Sequence, residues 1–300
     1  MTTHTLTRPA NNFPRTAVIA LLIGASAIGF APIFVRLSET GPIATAFWRL
    51  ALAVPFLWFG VWLTQRQDKS EKRPLSKQDY KLLIAAGAFF AGDLIVWHLA
   101  INYTSIANAT LLPNLAPIFV TLGAWLIFRQ RVTRIFLLGL LLAIFGATIL
   151  IGQSFSLSSA NLLGDGLALC TAVFYAGYIL TVKQARGNVT TLKLMAWSGT
   201  VCALILLPVA LLSGELFWAT SWQGWLVLLA LALVSHVSGQ GLIAYALAAL
   251  PATFSSVSLL WQPVMAALLA WGLLGEALSG GQILGGIIVL TGIMIARRGS

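Results

Sequence analysis

Charge is what this sequence has least of. Only 9% of its 300 residues are Asp, Glu, Lys or Arg, where a soluble domain averages about 25%. Most of these charges stand between long apolar runs, which excludes a soluble globular core and makes the chain a polytopic membrane protein. Two cysteines, Cys170 and Cys202, both inside apolar runs, are too few for a disulfide framework and read as packed free thiols. No glycine-rich loop ending in Gly-Lys-Ser or Gly-Lys-Thr occurs, so an ATP-driven pump in one chain is excluded. His-Glu-x-x-His and Gly-x-Ser-x-Gly are also missing. No metal and no cofactor is therefore expected, and the chain does not read as an enzyme. The apolar runs lack the alternation of a transmembrane barrel. A net charge of +10 would suggest nucleic acid in a soluble protein. Here the basic residues lie in short loops, where membrane orientation accounts for them, and no nucleic-acid partner is expected.

What the sequence does have is apolar runs of about 17 to 26 residues, enough to cross a bilayer core of about 30 Å as helices. Ten are expected, near 16–35, 42–64, 81–101, 105–128, 135–152, 162–182, 190–212, 222–247, 253–274 and 280–296. The first mimics a signal peptide, with Ala25-Ser26-Ala27 as a cleavage site. The run continues past that site through Ile33-Phe34-Val35, so it is read as a retained span. Placing both termini in the cytoplasm puts every Lys and Arg on the inside except Arg36, at an outer helix end, and Arg49, within a span. Glu39, Glu215 and Glu276 then fall outside. This predicts a multi-pass protein of a bacterial inner membrane, with the lipid bilayer as one partner.

The stretch from Asn108 to Ile127 is uncharged, carries Pro113 and Pro117, and has an echo 146 residues later. Pro117 falls on Pro263, Ala124-Trp125 on Ala270-Trp271, Leu138-Gly139 on Leu284-Gly285, Gly146 on Gly292 and Ile149 on Ile295. The spacing predicts two five-helix copies, 16–152 and 162–296, joined by an outer linker at 153–161, with short tails at 1–15 and 297–300. Five spans per copy, an odd number, turn the second copy upside down. Inverted repeats of this kind build secondary transporters, whose sites lie near the midplane beside interrupted helices. Pro113, Pro117 and Pro263 are the expected hinges. Glycines 139, 146, 281, 285 and 292 follow small-residue spacing on helices 5 and 10, for packing on each other or across a dimer; a monomer and a homodimer both fit.

Ionisable groups at membrane depth mark function by default. Arg49, Asp93, His98 and His236 are the candidates, with a satisfied internal hydrogen bond, or snorkelling for Arg49, as the alternative. Asp165 reads as an acid at a helix start. Among the amides, Asn114 and Gln262 stand beside prolines that free backbone carbonyls, and Gln240 lies on helix 8. Trp48, Trp97, Tyr175, Tyr178, Trp197, Tyr245 and Trp261 lie deep and would suit a cavity for an apolar or aromatic side chain. Trp62, Trp218, Trp222 and Trp225 read as interfacial anchors.

Ten helices in two repeats, with a proline-centred fourth helix recurring as the ninth, resemble the drug/metabolite transporter superfamily and, within it, the EamA-type exporters. Phe47-Trp48-Arg49-Leu50-Ala51, Asn108 to Pro117, Trp261-Gln262-Pro263, Gly275-Glu276 and Gly285 to Gly292 carry the resemblance. The Gly-Glu that closes the fourth helix of the repeat reads Arg129-Gln130 in the first copy, a departure from the pattern. The resemblance implies export of amino acids or similar metabolites across the inner membrane, and the tryptophans and tyrosines fit the aromatic amino-acid exporter branch (the YddG-like proteins). Such a substrate would be near-neutral overall, its carboxylate meeting Arg49 or a half-helix N-terminus. Nucleotide sugars or drug-like cations are the alternative cargo; a membrane enzyme or a subunit that moves nothing is the alternative class.

Overall fold

The computed structural model describes residues 13–67, 74–151 and 162–300. The linker expected at 153–161 and almost all of the tail at 1–15 lie outside the described residues. Ten helices are long and apolar enough to cross a membrane: α1 Arg15–Leu37, α2 Pro42–Arg66, α3 Lys77–Ile101, α4 Asn108–Phe128, α5 Arg134–Ile151, α6 Leu162–Ala185, α7 Thr191–Leu212, α8 Trp222–Ala249, α9 Ala252–Leu273 and α10 Gly280–Gly299. Each lies within four residues of its expected bounds. Strands do not occur among the described residues. Large apolar side chains such as Leu126, Leu141 and Leu212 cover the outside, as a lipid solvent requires. Cys202 is buried as expected; Cys170 is exposed on α6, a correction to its reading as a packed thiol.

The echo at 146 residues recurs in the backbone. The fourth span starts as Ile106–Leu111, tightens to a 3₁₀ turn at Leu112–Leu115 and resumes as Ala116–Phe128. The ninth breaks after Ala252–Ser258 and resumes at Trp261. Proline explains both interruptions, because it cannot donate to the carbonyl four residues back. Both spans end in the same left-handed residue, Arg129 with φ 52° and Gly275 with φ 69°. The next backbone N–H closes on the carbonyl of Ala124 at 3.2 Å in one copy and of Ala270 at 3.3 Å in the other. Arg129-Gln130 therefore keeps the geometry of Gly275-Glu276 although its side chains depart from the pattern. A left-handed arginine is strained by about 1 kcal/mol or more. Arg129→Gly is accordingly expected to hold or raise stability by up to about 1 kcal/mol, and Gly275→Ala to lower it by about 1 kcal/mol. Thermal unfolding in detergent checks this, and equal losses in the two variants would refute it.

α5 and α10 pack at backbone distance. A Cβ on Gly146 would stand 2.6 Å from the nitrogen of Val289 and 2.8 Å from the carbonyl of Gly285. A Cβ on Gly139 would stand 2.7 Å from the carbonyl of Gly292. As one helix is followed forward the other is met backward, so the pair is antiparallel and lies within one chain. Gly285 completes the contact, its added Cβ 2.7 Å from the Gly146 carbonyl.

The ends of the spans away from Ser300 are tied by carboxylates. Arg36 pairs with Glu276 at 2.5 Å. Glu215 accepts from the backbone of Ile43 at 2.8 Å and Ala44 at 3.2 Å, satisfying donors that the start of α2 leaves open. Asp165 accepts from Thr104 at 2.5 Å and Asn108 at 2.9 Å, so it joins α6 to the α3–α4 turn as well as sitting in a first turn. Glu39 accepts from the Ser221 hydroxyl and, at 2.8 to 2.9 Å, from the Ser221 N–H and the Thr220 N–H and hydroxyl. The Ser221 hydroxyl and N–H, with those of Thr220, hold the Glu39 carboxyl at about 2, against an ordinary 4.5. Because the folded value is the lower one, this tie is complete above about pH 4.5 and is lost as pH falls towards 2. Glu39→Gln is expected to melt below wild type at pH 7, with the gap closing at the acid end; a gap that ignores pH would refute the tie.

Candidate functional site

Three helices that crowd together build the centre. Gly87 brings α3 against the Ser198 carbonyl on α7, at 2.6 Å from where a Cβ would stand, and Gly92 and Gly177 let α3 and α6 exchange the rings of Phe174 and Phe89. This close packing turns one face of each helix inward. From α2, Arg49 reaches the middle, 9% exposed, its guanidinium carbon 5.9 Å from the centre of the Phe90 ring and its Nε without a hydrogen-bond partner. Asp93 faces it from α3. The two attract across the centre but form no ion pair. Asp93 is half-buried.

α6, α7, α8 and α9 supply uncharged polar groups and rings. Phe90 stacks on Tyr178 at 4.9 Å and on His236 at 5.6 Å. Both nitrogens of His236 are buried without a partner. The Gln240 and Gln262 amides approach the Tyr175 hydroxyl from α8 and α9, yet that hydroxyl, Oε1 of Gln240 and Nε2 of Gln262 all lack a hydrogen bond. Cys202 lies beside Arg49. Buried polar groups are normally satisfied. So many open donors and acceptors at one place offer hydrogen bonds to a polar ligand. α8 is π-helical from Leu231 to Gln240. It spans 28 residues where α3, its counterpart in the other copy, spans 25, and a π-helical stretch absorbs surplus residues while re-aiming side chains, often at functional sites.

Of the expected site residues, the structure brings Arg49, Asp93, Tyr175, Tyr178, His236, Gln240 and Gln262 together. The others have different neighbours. Trp48 donates to the Phe217 carbonyl at 2.7 Å and packs with Phe217, Trp218 and Trp225 near the α7–α8 turn. Trp97 donates to the Ala109 carbonyl at 2.9 Å. That carbonyl lies four residues before Pro113, which cannot donate to it. Nδ1 of His98 lies 2.6 Å from the Leu94 carbonyl, one turn back. Asn114 donates to Thr110 at 2.8 Å, and Trp261 to the Ser26 hydroxyl at 2.9 Å. Tyr245 is corrected in direction: it lies at membrane depth but is 49% exposed on the outer surface. Pro113, Pro117 and Pro263 lie in or beside the interruptions of α4 and α9.

A family model described as the EamA-like transporter family matches the chain twice, over residues 15–152 and 162–298. The chain belongs to the EamA-like transporter family. Among curated relatives, it is 26% identical over 224 residues to a pseudopaline exporter, CntI, of Pseudomonas aeruginosa, covering 75% of this chain and 77% of that protein. It is 25% identical over 283 residues to an uncharacterized transporter of Archaeoglobus fulgidus, covering 92% and 94%. A solved structure titled "Crystal structure of protein" shares the fold with a TM-score of 0.76 at 18% identity, over 93% of this chain and 98% of that one. This EamA-like protein is thus a membrane transporter by family. Its two matched copies contribute unequally to the centre. The first provides Arg49, Phe90 and Asp93, and the second provides the tyrosines, His236 and both glutamines. Phe90 was missed by sequence reasoning, which had no signal for it, since a phenylalanine does not stand out in an apolar helix.

Proposed function

We propose that the protein is a secondary or facilitative exporter of small zwitterionic metabolites, amino acids with aromatic or other apolar side chains first among them. The observation that carries this is the opposition of Arg49 and Asp93 without an ion pair between them. A cation and an anion held apart at the centre match the carboxylate and ammonium of a zwitterion, each of which would partner one of the two charges. Phe90, Tyr178 and His236 form a ring-lined wall for a side chain, and the Gln240, Gln262 and Tyr175 groups hydrogen-bond what remains. Of these rings, Tyr178 and His236 stand among the residues expected from the sequence, and Phe90 does not.

Alternating access follows in this reading from two copies of opposite orientation. The antiparallel α5–α10 contact, in which Gly139 meets Gly292 as Gly285 meets Gly146, supports it. So do the matched interruptions of α4 and α9, which give each half a place to bend. The loop lysines and arginines support cytoplasmic termini, and the relatives named as an exporter and as transporters support the direction. Purified protein in liposomes loaded with labelled phenylalanine, tryptophan or leucine tests the proposal. Efflux above that of protein-free liposomes is expected, and competition by unlabelled solutes ranks cargo. No efflux of any amino acid, with flux of a nucleotide sugar or an organic cation, would replace the substrate class; no flux at all would replace the transporter reading.

A further inference from the structure

A cavity separate from the centre opens at the end of the bundle that holds Ser300. It measures about 590 Å³, a size suited to one small ligand or headgroup, and lies between the end of α2 and the starts of α3 and α7. Trp58, Trp62, Tyr80 and Trp197 wall it, and Arg66 and Lys193 are its charged lining residues; no acid lines it among the described residues. Asp79, next to Tyr80, is engaged in the capping box with Ser76 at 2.8 Å and is 3% exposed. The walls are fixed. Trp58 donates to the Thr200 hydroxyl at 3.1 Å, and Trp197 stands edge-on to both Trp58 and Tyr80 with ring centres 5.4 Å apart. The Arg66 guanidinium lies 3.9 Å over the Trp62 ring and makes no ion pair among the described residues. Stacking holds its face, so its N–H edge stays available to an anion.

We propose that this cleft binds an anionic phospholipid, with the phosphate at Arg66 and the acyl chains leaving over Trp62. Three observations favour a lipid over an anion dissolved in water. Arg66 closes the last turn of α2 and Tyr80 lies in the first turn of α3, which is headgroup depth for helices of this length. Trp62, itself 44% exposed, stacks at 5.6 Å on Phe59, which is 57% exposed on the outer wall. The apolar rim thereby runs unbroken from the cleft onto the surface where acyl chains lie. Among the described residues the lining charge is of one sign, which suits a juxtamembrane lipid site. Lys193 is 9% exposed and already engaged, so it contributes at the floor and Arg66 makes the contact.

The test is a titration of delipidated full-length protein with phosphatidylglycerol and with phosphatidylcholine of the same chains, read by native mass spectrometry. Phosphatidylglycerol is expected to bind at least tenfold more tightly. Arg66→Gln should abolish that preference and Arg66→Lys should keep most of it; Trp62→Leu, which removes the platform under Arg66, takes the place of Arg66→Gln if the latter melts early. Equal affinity for the two lipids overturns the proposal, as does a preference that survives both variants. Displacement of phosphatidylglycerol by equimolar glycerol phosphate also overturns it, because the cleft would then take a water-borne anion.

Discussion

Arg49→Ala is expected to slow amino-acid efflux roughly 30-fold or more without lowering the melting temperature of the protein in proportion. Losing one partner of a desolvated charge contact costs about 2–5 kcal/mol, and each 1.4 kcal/mol is a factor of ten. The lower end of that range already gives the stated loss. Arg49→Lys should recover little of it, since an ammonium cannot offer a carboxylate two parallel N–H groups. The double variant Arg49→Ala with Asp93→Asn separates a transport role from a structural one. In a bundle whose stability depended on these charges it would melt lower than either single variant. Here the two groups form no ion pair, and Arg49 keeps an unsatisfied Nε. Removing both takes two uncompensated charges out of the interior, so the double variant is expected to melt no lower than wild type while staying inactive. Initial efflux rates from liposomes, set beside thermal unfolding of the same preparations, decide the matter. Arg49→Ala with efflux within threefold of wild type would remove Arg49 from the site.

The groups that meet at the centre and those that do not differ in a way hydropathy could not have shown. Depth along a helix is legible from the length of an apolar run, and it places Tyr245, Trp97 and Tyr175 alike inside the membrane. Direction around the helix is not legible in a chain so apolar on every side, because the moment that distinguishes faces is small. Tyr245 and Gln240 sit five residues apart on α8. One is half exposed and the other is 3% exposed. Between them lies the end of the π-helical stretch, which changes the turn per residue and defeats an extrapolation at constant pitch. Trp97 was hidden for another reason. Its indole satisfies a carbonyl left open by Pro113, a debt created on a different helix. In the other direction, the sequence understated the repeat at Arg129-Gln130. Side chains there differ from Gly275-Glu276 while the backbone repeats, since a left-handed cap prefers glycine but tolerates other residues at a modest cost. The carboxylates Glu39, Glu215 and Glu276, at the bundle end away from Ser300, carry almost no weight in a charge-bias argument, yet each ties one repeat to the other.

The other large effect is expected at the α5–α10 contact. Gly146→Ala should destabilise the protein by about 1–3 kcal/mol, and Gly146→Leu by more. The added Cβ would stand 2.6 Å from the Val289 nitrogen and 2.8 Å from the Gly285 oxygen, which are backbone atoms. A side chain could rotate aside; a backbone cannot, so the two helices must part along their length. Gly272→Ala is the control. No atom lies within 4 Å of its added Cβ, and alanine favours a helix over glycine by up to about 1 kcal/mol, so this change should be neutral or stabilising. Two further expectations come from the arrangement of the contacts. Gly146 and Gly285 meet each other, so Gly146→Ala with Gly285→Ala should cost less than the two single changes together, the first having already opened the space the second needs. Gly139 and Gly285 occupy equivalent places, 146 residues apart, as do Gly146 and Gly292. If the halves are related by a two-fold axis, equivalent glycines face equivalent backbones and their alanine variants should lose similar stability, within about 0.5 kcal/mol. Unfolding measurements at two protein concentrations complete the test. A loss independent of concentration places the contact inside one chain, and a loss that dilution magnifies would move it to the interface of a dimer.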